Sequence, residues 1–341
     1  MNNLRVFGLN GSKPYAQKVS HFLDIALNAH TEKYFEDDES YIKSDENVRD
    51  CDVYIISGLY SDSYQRLNEK LINLLWFIGS LRDASARRVT AVIPYFAYAR
   101  QDRKTKSREP ITTKYMAKCF EAVGIDRLLT VDIHSLSAFQ NSFRIPVDNL
   151  DSVKLFVDYL CGGTDLNGVP VDNHIDQPLS ADSNNLVILS PDIGGMTRCS
   201  VFQSALEKRL NIEIPLAIFD KRRVDGKVTG SRIIGDVRDK KVIIFDDMIA
   251  SGSTAIKAID AIKQAGGSLY AFCATHGLFT GKAKENLAGV ERLIVADTLP
   301  LNRFGDMNMN NIHIVPTARL IAQAIKRTHE EGGSISDLLK A

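Results

Sequence analysis

The chain has 341 residues, 44% of them hydrophobic and 25% charged, a folded globular composition with enough length for two domains of roughly 150 residues. Its 42 Lys and Arg balance its 42 Asp and Glu, which excludes a global field for nucleic acid or an anionic membrane and makes any polyanion site local. Five scattered cysteines with no C-x-x-C pair exclude a disulfide frame or zinc site. With no apolar run of signal-peptide or membrane-span length, the expected location is cytoplasmic.

In chain order, short β-branched apolar runs predict strands buried on both faces at 53–56, 89–93 and 128–131, then at 186–189, 242–245 and 269–274. Helix-length segments lie between them at 64–81, 113–123, 201–210 and 254–265. In the last, Ile256, Ile259 and Ile262 recur every three residues and Gly266-Gly267 supply a stop. This alternation predicts an α/β protein of two similar domains, 1–150 and 151–341, each a mostly parallel sheet flanked by helices. Residues 161–185 are polar and turn-rich, a surface excursion in which His174 reads as a solvated loop histidine.

Four constellations carry chemistry. The run 242–245 leads into Asp246 and Asp247, then Ala250, Ser251, Gly252, Ser253 and Thr254 ahead of a helix. Small residues let backbone N–H groups approach a phosphate, hydroxyls add donors, and the helix N-terminus adds partial positive charge. The two carboxylates suit vicinal hydroxyls, so the string reads as a holder for a 5-phosphorylated ribose. The competing interpretation is a solvated acid pair beside an ordinary Ser/Thr cap.

The segment RQDRKTKSR (100–108) puts five cations in nine residues behind a buried strand, a placement suited to a triphosphate. Nucleic acid is the rival ligand, and the balanced charge and missing nucleic-acid motifs argue against it. VDIHS (131–135) and SPDIGG (190–195) end two further strands. His134 and Asp192 would suffice for nucleotide-bound Mg²⁺, which takes few protein ligands; a structurally satisfied histidine stays an open alternative. FDKRR (219–223) precedes a Gly-bearing stretch. It reads either as a loop able to close cations over a transition state or as a solvated turn.

Together with FEDDES (35–40), RVTAVIPYFAYARQDRKTKSREPI (88–111), IPVDNL (145–150), THGLF (275–279) and RTHEEGGSIS, these strings make the chain resemble the ribose-phosphate pyrophosphokinase family over nearly its whole length. The resemblance implies two phosphoribosyltransferase-type domains and a homo-oligomer, hexameric or otherwise built from dimers. It also implies transfer of the β,γ-diphosphoryl group of MgATP to ribose 5-phosphate. By that pattern Phe35, Asp37, Glu39, Arg100, Gln101, Asp102 and His134 would bind ATP, His134 and Asp192 would hold Mg²⁺, and Lys221 and Arg223 would be the catalytic cations. Asp246, Asp247, Ala250, Ser251, Gly252, Ser253 and Thr254 would bind ribose 5-phosphate. Ala250 and Ser253 depart from the family pattern, where Asp and Gly are common. A non-catalytic regulatory homologue and an ordinary phosphoribosyltransferase are the alternatives.

Overall fold

A computed structural model describes residues 3–163, 175, 178–224, 227–303, 311–330 and 333–338; the side chains of 221–231 and 337 fall outside that description. His174 also lies outside the described residues. The chain forms two compact units, one of Met1–Asp151, Thr298–Gly305 and Thr317–Lys340, the other of Ser152–Asp297 and Asp306–Pro316.

The first unit runs β1 (Leu4–Gly8), α1 (Lys13–Leu23), β2 (His30–Tyr34), β3 (Ser40–Ser44), β4 (Asp52–Ile56) and α2 (Leu67–Asp83). It continues through β5 (Arg88–Ile93), α3 (Thr112–Ala122), β6 (Arg127–Val131), α4 (Leu136–Ser142) and β7 (Val147–Leu150). Its five-stranded sheet has the order β1-β4-β5-β6-β7, with every neighbouring pair parallel. Helices cross between parallel strands and cover the sheet, so strands such as β4 are buried at every residue. The hairpin β2–β3 is a separate two-stranded sheet. Helix α2 starts at Leu67 and not at 64, because the Asp62 carboxylate accepts the Tyr64 and Gln65 N–H groups, both at 2.8 Å, and shapes a turn there.

The second unit begins with α5 (Val153–Leu160), β8 (Leu186–Ser190), α6 (Met196–Leu210), β9 (Leu216–Val224) and β10 (Lys227–Ile234). Then come β11 (Lys241–Ile249), α7 (Ser253–Gln264), β12 (Ser268–Gly277), α8 (Ala283–Leu287), β13 (Leu293–Ala296) and β14 (Ile312–Val315). The sheet order is β10-β9-β8-β11-β12-β13-β14. All pairs are parallel except the β9–β10 hairpin at one edge. In its core Phe202 of α6 stacks flat on Phe245 of β11 at 4.3 Å, and Phe156 of α5 meets the same ring edge-on at 5.5 Å. Such ring pairs add about 0.5–1.5 kcal/mol beyond area burial, and they fix α6 against β11.

The last helix, α9 (Ala318–His329), belongs to the first unit although the sequence boundary at 151 assigns it to the second. Its contacts explain the return. Tyr15 of α1 bonds Thr317 at 2.7 Å, Tyr54 of β4 bonds Thr328 at 2.8 Å, and Asp52, 1% exposed, is hydrogen-bonded to His329 Nδ1 at 2.8 Å and takes an ion pair from Arg88. A buried carboxylate left without such partners would be strongly destabilising. No helix among the described residues is long and apolar enough to cross a membrane.

Candidate functional site

Topology puts one crevice in the second unit. From β8 the chain goes to β9 on one side and later to β11 on the other, so the strand order reverses between β8 and β11. Open α/β sheets bind ligands at the carboxyl end of such a switch point. Pairing of β8 with β11 stops at Ile244, while β11 continues along β12 to Ile249. The strand therefore runs four residues past the C-terminal end of the predicted 242–245, and Asp246 and Asp247 lie within it, beyond the last β8 pair. They are carboxylates inside a strand because only one neighbour still demands pairing.

The acid pair is held from α6. Arg198 Nη1 donates to Asp246 Oδ1 at 3.3 Å and lies 3.5 Å from Asp247 Oδ1. The Asp247 N–H donates to Asp246 Oδ1 at 2.9 Å. Asp247 is 3% exposed. Burial pushes the Asp246 carboxyl well above the usual carboxylate range, the adjoining Asp247 carboxylate adds to that, and Arg198 pulls it back. Next to Arg198, the buried Cys199 thiol donates to Phe245 O at 3.1 Å. Burial pushes that thiol up to about 11, which makes it a packing anchor and not a nucleophile.

After β11 the chain turns sharply. Gly252 has φ +74, and a Cβ there would lie 2.8 Å from the Leu287 side chain, so conformation and space both require glycine. Gly252 is also the N-cap of α7 and supplies no capping side chain. The Ser253 N–H donates to Ser251 Oγ at 3.5 Å, and the N-terminus of α7 adds partial positive charge to this turn. The loop carbonyls face the other way: Asn286 Nδ2 donates to Ser251 O at 2.7 Å and Thr280 N to Ala250 O at 3.0 Å. Ser251 and Ser253 hydroxyls bond each other at 2.9 Å, and Thr254 opens α7 behind them.

The loop after β8 flanks the same crevice. Ser190 Oγ donates to Asp192 O at 2.7 Å, and the Gly195 N–H donates to Asp192 Oδ1 at 2.9 Å. Asp192 is exposed, with one carboxylate oxygen engaged in its own turn. A Cβ on Gly195 would lie 2.9 Å from Ser190 Oγ, which keeps this turn tight. Lys221 and Arg223 do not lie in a loop: they occupy β9, in register with Ser231 and Val228 of β10. The hairpin escaped sequence reading because β9 pairs with β8 only as far as Ile218, so the stretch carrying Lys221 and Arg223 has β10 as its one strand neighbour and the buried apolar run ends before it. A groove of about 1050 Å³ between α5 and α6, lined by Lys154, Asp158, Met196, Thr197, Lys208 and Arg209 among others, contains none of the predicted site residues.

In the first unit, Phe35, Asp37 and Glu39 form the β2–β3 turn. Phe35 N–H donates to Glu39 O at 2.8 Å, and Glu39 N–H to Asp37 Oδ1 at 3.2 Å. All three are exposed, Phe35 by 51%, with its ring edge-on to Tyr41 at 5.8 Å. An aromatic face held outward beside carboxylates suits a flat amino-substituted base. Behind β5, residues 94–99 are largely buried while Arg100 and Gln101 are exposed and Asp102 half-buried. Glu109 gathers the basic loop, its Oε2 accepting from Thr105 N at 2.8 Å and Lys106 N at 2.9 Å; these bonds hold its carboxyl below the usual range. Past β6, the His134 ring is exposed rather than packed in the core.

Hard oxygen donors suit Mg²⁺. Among the described residues no group of three or more His, Cys, Asp or Glu could hold a metal ion. Arg198 is the residue that sequence reading missed. Its signal was a cation in the first helical turn after SPDIGG, opposite an acidic pair on a separate strand.

The fold defines the class: an α/β protein of two phosphoribosyltransferase-type units. Residues 4–124 match the N-terminal domain of ribose phosphate pyrophosphokinase, and residues 205–340 a phosphoribosyl synthetase-associated domain. Ribose-phosphate pyrophosphokinase 1 of Streptococcus agalactiae is 38% identical over 97% of this chain and 95% of its own. The ribose-phosphate pyrophosphokinase of Hyphomonas neptunium is 37% identical over 96% and 97%. The crystal structure of phosphoribosylpyrophosphate synthetase from Mycobacterium smegmatis superposes with a TM-score of 0.82 at 31% identity, covering 97% of this chain and 100% of that one. The chain belongs to the ribose-phosphate pyrophosphokinase family.

Proposed function

We propose that the protein transfers the β,γ-diphosphoryl group of MgATP to the anomeric hydroxyl of D-ribose 5-phosphate, giving 5-phosphoribosyl 1-diphosphate and AMP. The observation that carries this reading is the switch-point crevice, where an acid pair on β11 adjoins an α7 N-terminus without a side-chain cap. The loop 250–254 binds the 5-phosphate, and Asp246 and Asp247 accept from ribose hydroxyls.

Phe35, Asp37 and Glu39 contact adenine, while Arg100, Gln101, Asp102 and His134 take the rest of the nucleotide. The anomeric oxygen attacks the β-phosphorus, the bond from that phosphorus to the α-phosphate oxygen breaks, and the hydroxyl proton passes to solvent. His134 and Asp192 would hold Mg²⁺, which would supply charge neutralisation on the phosphate oxygens. Lys221 and Arg223 stabilise charge on the transferring group. In-line positioning and neutralisation are what phosphoryl-type transfer demands, so no general base is assigned. We further place the protein in the cytoplasm as a homo-oligomer, hexameric or otherwise dimer-based, with no nucleic-acid or membrane partner.

Incubation with MgATP, with and without ribose 5-phosphate, tests the reading. AMP that appears only with the sugar supports it. Absence of AMP points to a regulatory homologue, and consumption of 5-phosphoribosyl 1-diphosphate with a free base points to a phosphoribosyltransferase.

A further inference from the structure

The groups that face Asp246 are Asp247 on its own strand and, from α6, Arg198 and the neutral Cys199 thiol. Its partner across β12 is the uncharged Ala274. Two carboxylates one residue apart, both largely out of water, repel each other, and one of them would take up a proton unless a cation stood between them. Arg198 occupies that position. One nitrogen reaches both residues, at 3.3 Å from Asp246 and 3.5 Å from Asp247.

The position of Arg198 is fixed by the packing of its helix. Cys199 hooks its helix to Phe245 O, and Phe202 stacks on the Phe245 ring. The arrangement links the loop after β8 to the acid pair on β11. A protonated carboxyl offers one acceptor fewer and turns a donor toward a sugar hydroxyl that is itself a donor.

We infer that Arg198 is a positioning residue for the sugar, holding the Asp246–Asp247 pair in the orientation that accepts from vicinal ribose hydroxyls. The identity of the sugar rests on the proposed diphosphoryl transfer; the coupling of Arg198 to the acid pair does not. Loss of the guanidinium lets burial and Asp247 raise the Asp246 carboxyl further, so sugar binding weakens most at low pH and recovers as rising pH removes the proton.

The test compares wild type, Arg198→Gln and Arg198→Lys as full-length proteins from pH 6 to pH 9. It reads KM for each substrate by AMP formation and ribose 5-phosphate binding by titration calorimetry. Arg198→Gln is expected to raise KM for ribose 5-phosphate on the order of tenfold or more near pH 6.5, the scale of a lost charged hydrogen bond. That gap should narrow above pH 8 while KM for ATP stays within about twofold, and Arg198→Lys should restore most of the loss. An unchanged sugar KM overturns the inference, as does a rise shared by both substrates at every pH. If Arg198→Gln does not fold, Arg198→Lys carries the test: a wild-type charge with altered geometry must still raise the sugar KM measurably, and an unaltered value rejects the role. If wild type forms no AMP, the function fails while calorimetry still decides the role of Arg198, by whether sugar affinity becomes pH-dependent in the variant.

Discussion

The two sheets differ in the one property that decides where an α/β fold can bind a ligand. In the first unit the strand order β1-β4-β5-β6-β7 follows the chain without reversal, whereas in the second the order turns between β8 and β11. A reversal sends neighbouring loops apart and opens a crevice; a monotonic order gives none. The second unit therefore holds its candidate sugar site within the sheet edge, on a rigid strand and a tight glycine turn. Under the proposed function, the first unit would present its nucleotide contacts on projections, the β2–β3 hairpin and the basic loop behind β5.

Catalysis and sugar binding should therefore break through the second unit and nucleotide binding through the first. The largest effect is expected at the β9–β10 hairpin. Lys221→Ala should lower kcat at least about a hundredfold, near 3 kcal/mol of transition-state stabilisation, with KM for ATP little changed; an unchanged kcat would remove the cation from the reaction. Next comes Gly252→Val. The left-handed turn and the Leu287 contact together should cost on the order of 2 kcal/mol, read as a raised sugar KM and a lowered Tm.

In the first unit, Phe35→Ala should raise KM for ATP several-fold, about 1 kcal/mol for a lost aromatic contact, and leave the sugar KM alone. A matching rise in both would erase the contrast between the units. The smallest effect concerns stability. Asp158 of α5 is 8% exposed, and its Oδ2 has no hydrogen-bond partner among the described residues. Burial pushes its carboxyl up, against Lys154 and Arg209. Because the folded value is raised, the favourable contribution is full below the unfolded value and is lost as pH rises through the folded one. Asp158→Asn should accordingly match wild type in Tm near pH 4 and exceed it by about 2–4 °C at pH 8, for a relief of about 1 kcal/mol.

How much of this was legible follows from which residues lie between two layers of helix. β4, β5, β6 and β8 announced themselves because burial on both faces leaves an unbroken apolar run, and the Ile256, Ile259 and Ile262 stripe did the same for α7. The hairpin carrying Lys221 and Arg223 did not, since β9 runs past the end of its pairing with β8 and the buried apolar run stops there. The extension of β11 through Asp246–Ile249 was hidden for a similar reason: carboxylates seldom signal a strand, and here they are admitted only because β8 has ended. The return of α9 to the first unit depends on Tyr15, Tyr54 and Asp52, far away in sequence. Arg198 was invisible because its meaning lies in a partner 48 residues on. The motifs named the candidate residues, and long-range pairing decided what holds them.

The central claim is the reaction, and phosphorus NMR of one tube containing the protein, MgATP and ribose 5-phosphate tests it most directly. Equal amounts of AMP and a sugar-linked diphosphate, with no ADP and no turnover without the sugar, are the expected result. ADP as the nucleotide product, or AMP formed regardless of ribose 5-phosphate, would contradict diphosphoryl transfer.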